Sequence, residues 1–77
     1  MRNLDALFMN ATDVHSLVRS VIVIFALPFA VMSVFGSSDG WQVSVRAGTG
    51  EILRFTVAGG EPDEMRLTIR KVLESER

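Results

Sequence analysis

The 77-residue sequence has no cysteine, one histidine, one tryptophan and two prolines. Without cysteine there is neither a disulfide staple nor a thiolate metal site, and one histidine cannot complete a zinc site alone. The same shortage leaves no nucleophile and base pair to assemble, and no two carboxylates are fixed by rigid flanks, so an enzyme is not expected. Eight basic residues against nine acidic ones give a net charge of −1, which provides no electrostatic footprint for nucleic acid.

The longest absence is of charge itself. From Ser20 to Ser38, "SVIVIFALPFAVMSVFGSS" runs nineteen residues without an ionisable side chain. As one helix it is about 28 Å long against a hydrocarbon core of about 30 Å. Ten of its residues are Val, Ile, Leu or Phe. Arg19 at one edge and Trp41 beyond the other suit a snorkelling cation and an interfacial aromatic. Pro28 would kink such a helix and free the carbonyl of Ile24, which marks Ile24, Pro28 and Phe29 as positions where a partner helix could pack. The competing reading makes "SVIVIF" and "FAVMSVF" two buried strands of a soluble α/β module. Its difficulty is the lack of alternation, because so short a chain can scarcely cover both faces of two strands.

Before the block, Leu4, Leu7, Phe8, Ala11, Val14, Leu17 and Val18 recur at helical spacing. They predict an interfacial amphipathic helix over roughly 2–9, with Leu4, Leu7 and Phe8 as partner contacts, then a second helix capped by Asn10 or Thr12. Ala11 and His15 resemble the Ala-x-x-x-His element of bacterial light-harvesting polypeptides, whose histidine ligates a pigment magnesium. That resemblance implies a pigment or haem ligand at His15. The position of His15 outside the uncharged block, with Arg19 one turn later, points instead to a histidine hydrogen-bonded to water or a partner, and no cofactor is expected.

After the block, "WQVSVRAGTGEILRFTV" reads as a hairpin. A three-residue loop Gly48-Thr49-Gly50 sets Val45 opposite Leu53, Val43 opposite Phe55 and Trp41 opposite Val57, with Gly50 in the left-handed bulge position. In "EPDEMRLTIRKVLESER" a proline in the first turn and the acids Glu61, Asp63 and Glu64 mark a helix start, and Met65, Ile69, Val72 and Leu73 form its apolar stripe. Arg46, Arg54, Arg66 and Arg70 are candidates for docking an acidic surface.

Together these features predict a membrane α plus small α+β chain: an amphipathic segment at 1–11, a single transmembrane helix at 12–38, and a ββα head at 39–77. The matching role is a structural accessory subunit of a larger integral-membrane assembly, of an energy-transducing kind. It would sit in a bacterial-type inner membrane, in contact with the lipid bilayer, with its N-terminus cytoplasmic. The alternative is a protein-binding module whose apolar block supplies core strands.

Overall fold

Asn10 starts the first helix of the computed structural model, which describes residues 10–76. Its side-chain oxygen accepts from the Asp13 N–H at 2.9 Å, and the Asp13 carboxylate accepts from the Asn10 N–H at 3.4 Å, a reciprocal cap that satisfies two otherwise orphaned donors. Helix α1 then runs Ala11–Ile24 and buries Val14, Leu17, Val18, Val21 and Ile22, one continuous stripe at 3.6-residue spacing. The predicted interfacial helix, with Leu4, Leu7 and Phe8, falls outside the described residues.

The uncharged block does not continue as a helix. The Leu27 N–H donates to the Ile22 carbonyl at 2.9 Å and the Ala26 N–H to the Val23 carbonyl at 3.2 Å. These two bonds form a Schellman motif, which consumes the last helical carbonyls. Its left-handed position is held by Ala26, at φ +50°. Pro28 follows the cap directly, where a residue unable to extend a helix belongs. Strand β1, Phe29–Ser37, takes up the rest of the block.

The spanning helix predicted over 12–38 is therefore overturned: among the described residues no helix is long and apolar enough to cross a membrane. The Pro28 kink, the inner-membrane location and the N-terminal orientation all rested on that span and fall with it. The structure supports the alternative architecture in coarse form, a small α+β domain in which the block begins as the end of a helix and continues as a strand.

Strand β1 pairs antiparallel with β2 (Gly40–Ala47), and β2 with β3 (Ile52–Val57), giving a three-stranded sheet in the order β1-β2-β3. The β2–β3 register follows the turn arithmetic, with Val45 opposite Leu53, Val43 opposite Phe55 and Trp41 opposite Val57. Gly50 sits at φ +94° and its N–H donates to the Ala47 carbonyl at 2.9 Å. That is the three-residue bulged loop expected of Gly48-Thr49-Gly50.

The β1–β2 hairpin turns through Ser38 and Asp39, with Ser37 opposite Gly40. Gly40 is at φ +130°, and a Cβ there would collide with the Val57 carbonyl oxygen and lie 2.9 Å from the Ala58 Cα. Only glycine fits where the first hairpin crosses the end of the third strand. Within β1, a bulge at Met32 shifts the pairing from Val31 opposite Val45 to Ser33 opposite Ser44. Phe29, Val31 and Val34 thus all face the same side as the buried Val43 and Val45, although they are not evenly spaced.

Helix α2, Pro62–Glu76, opens with proline and the acids Asp63 and Glu64, and buries Met65, Ile69 and Leu73. Both helices lie on one face of the sheet and touch each other. Twelve buried apolar residues from α1, the α1–β1 link, β2, β3 and α2 form a single core that holds no polar side chain. The ββα head is accordingly not a separate unit, since α1 and β1 complete its core.

Candidate protein-docking surface

The packing that builds the core leaves several large apolar side chains uncovered on α1 and β1. Among the described residues seven large hydrophobics are exposed, and five of them, Val23, Ile24, Phe25, Met32 and Phe35, belong to the end of α1, its cap and β1. Ile52 and Leu67 are the other two. Single exposed hydrophobics are ordinary, so what stands out is that most of these belong to two neighbouring elements, α1 and β1.

Local structure explains each exposure. Val23 and Ile24 are the final residues of α1, rotated off the stripe that ends at Val21 and Ile22. Phe25 is the C-cap, and its ring lies 4.0 Å below the Arg70 guanidinium, a cation–π contact joining the cap to α2. Phe35 lies opposite Gln42, on the sheet face away from the helices.

Between α1 and β1 lies an open groove of ≈ 350 Å³ lined by His15, Arg19, Ile22, Val23, Phe29, Ala30 and Val31. His15, Arg19 and Val23 are spaced four residues apart and so form one rail of it. His15 is half-buried and Arg19 exposed. The groove holds no carboxylate. Among the described residues no group of three or more His, Cys, Asp or Glu could hold a metal ion.

The candidate residues from the sequence divide into three groups. Phe29 is half-buried and lines the groove, whereas Ile24 and Pro28 are exposed and flank a helix end rather than a kink. Trp41 lies on the helix-facing side, with its ring over Gly36: a Cβ at Gly36 would stand 3.4 Å from it. The four arginines do not converge. Arg46 and Arg54 are exposed on the sheet face opposite the helices, diagonal to one another across β2 and β3. Arg66 and Arg70 are on α2, bridged to Asp63 at 2.9 Å and Glu74 at 3.2 Å.

Sequence reasoning did not single out Val23, Met32 or Phe35. The signal for Phe35 was available in the turn "SSDG", which pairs β1 with β2 and sends Phe35 to the side of Gln42. Met32 required knowledge of the bulge, which nothing local announces. Compared with known proteins, the chain matches no family model, no curated protein and no solved structure.

Proposed function

We propose that this chain is a protein-binding module without chemistry of its own, and that its partner docks along the side formed by the end of α1 and by β1. The observation that carries the reading is the concentration of exposed Val23, Ile24, Phe25, Met32 and Phe35 there. The groove beside them adds a polar rail, the Arg19 charge with the His15 ring one turn before it, over an apolar floor, a combination of anchor and orienting charge common at interface rims. The buried residues behind this surface, among those described, are all apolar and closely packed, so the surface is presented on a firm base.

A photo-crosslinking side chain placed at Ile24 tests this in the cells that make the protein, with the same side chain at Leu67 as control. Both positions are exposed, Ile24 at 67% and Leu67 at 52%, so neither disturbs the core. Adducts at Ile24 that exceed those at Leu67 are expected. Equal labelling at the two sites, or none at either, overturns the reading.

A further inference from the structure

The two edges of the sheet are unlike. Strand β3 is six residues long and carries Arg54 in its middle. Strand β1 is nine residues long and has no charge and no proline. Natural edge strands are ordinarily shortened or charged to prevent pairing with another chain. By that measure β3 is guarded and β1 is guarded only by its bulge. Among the described residues nothing pairs with the outer side of β1.

We infer that β1 pairs antiparallel with β1 of a second copy of this chain, joining two three-stranded sheets into one of six strands. The inference rests on the docking side assigned above and names its occupant. Two features of β1 select a second copy. The first is charge: an uncharged strand meets itself about a two-fold axis without like-charge repulsion.

The second is volume, and it depends on the bulge. Up to Met32 the odd-numbered residues Phe29 and Val31 face the helices, and after it the even-numbered Val34 and Gly36 do. Residues opposite each other in an antiparallel pair share a face, so a two-fold axis between Met32 and Ser33 matches the faces and keeps the longest overlap. In that register Phe29 meets Gly36 of the second copy, Ala30 meets Phe35, Val31 meets Val34 and Met32 meets Ser33. Each bulky side chain meets a small one except for the valine pair at equal size. The exposed Met32 and Phe35 each gain a cross-strand neighbour on the sheet face away from the helices.

The test is sedimentation equilibrium of the purified full chain from about 1 to 200 μM, a range suited to an interface of modest area. A mass of twice 8.5 kDa is expected to appear within it. Phe35→Lys should weaken association on the order of tenfold, since the symmetric pair loses two Phe–Ala contacts. Adding Ala30→Glu to it should restore affinity to within about threefold, because each lysine then faces a glutamate across the axis. Both positions are exposed, and unchanged circular dichroism and melting would show that the variants still fold. A chain that stays monomeric throughout overturns the proposal. So does a dimer indifferent to Phe35→Lys, or a loss that the double variant does not restore. A monomer that still gives selective Ile24 adducts to another protein removes only the second copy as occupant and leaves the binding reading standing.

Discussion

The two halves of the uncharged block are alike in composition and opposite in structure. Ser20–Ile24 is helix and Phe29–Ser37 is strand, with four residues of cap and link between them. Both halves are rich in β-branched and aromatic residues, which favour strand when nothing else decides. The first half stays helical because Val21 and Ile22 continue a stripe begun at Val14, Leu17 and Val18. The second half becomes strand because a proline and a completed cap precede it and a Ser-Ser-Asp-Gly turn follows. Burial pattern outweighs propensity, and the caps determine where one pattern gives way to the other.

The contrast can be broken at three places. Within the helical half, Ile22 is 8% exposed and Ile24 67%. Ile22→Ala should cost about 2–4 kcal/mol and Ile24→Ala less than about 0.5 kcal/mol beyond the propensity change, measured by urea unfolding. Equal losses would mean that the helix lies with another face inward.

At the turn that sends the strand half back along β2, Gly40→Ala should cost about 2–3 kcal/mol, from positive φ together with the collision at Val57. Gly50→Ala, at φ +94° with no atom within 4 Å of the added Cβ, should cost only about 1 kcal/mol. Similar losses at the two glycines would show that crowding at the first hairpin is relieved by a shift of β3.

The smallest effect lies at the boundary itself. Ala26 occupies a left-handed position at φ +50°, so Ala26→Gly should stabilise the domain by about 0.5–1 kcal/mol. A loss of stability would argue against a helix end at this point.

These boundaries also show why part of the fold was legible and part was not. The β2–β3 register could be counted from "AGTG" because glycines fix the loop length and every large side chain then finds a large partner. Helix α2 announces itself through Pro62 and its acids. The break in the block is concealed because the residue in the left-handed cap position is Ala26 rather than the usual glycine. Without that signal Pro28 reads as a kink instead of a stop. The bulge at Met32 then removes the alternation that would identify β1, since Val31 and Val34 are three apart yet face the same way. Ile24 and Pro28 are exposed because they flank the point where a proline ends an apolar helix. Arg70 was legible only as a surface charge. Its pair with Glu74 is an i,i+4 contact within α2, but its place over Phe25 depends on two helices far apart in the sequence.

The meeting of α1 and α2 has a consequence for how the chain folds. Each strand pairs with its neighbour in sequence, so the sheet assembles by closing loops of two and three residues at little entropic cost. The contact between the first helix and the last instead spans most of the polypeptide. Order is cheapest to gain in the meander and most expensive at the helix pair. The expected rate-limiting ensemble therefore has its hairpins formed and α2 still undocked, so that in stopped-flow unfolding Ile69→Val or Leu73→Ala should act mainly on the rate of unfolding.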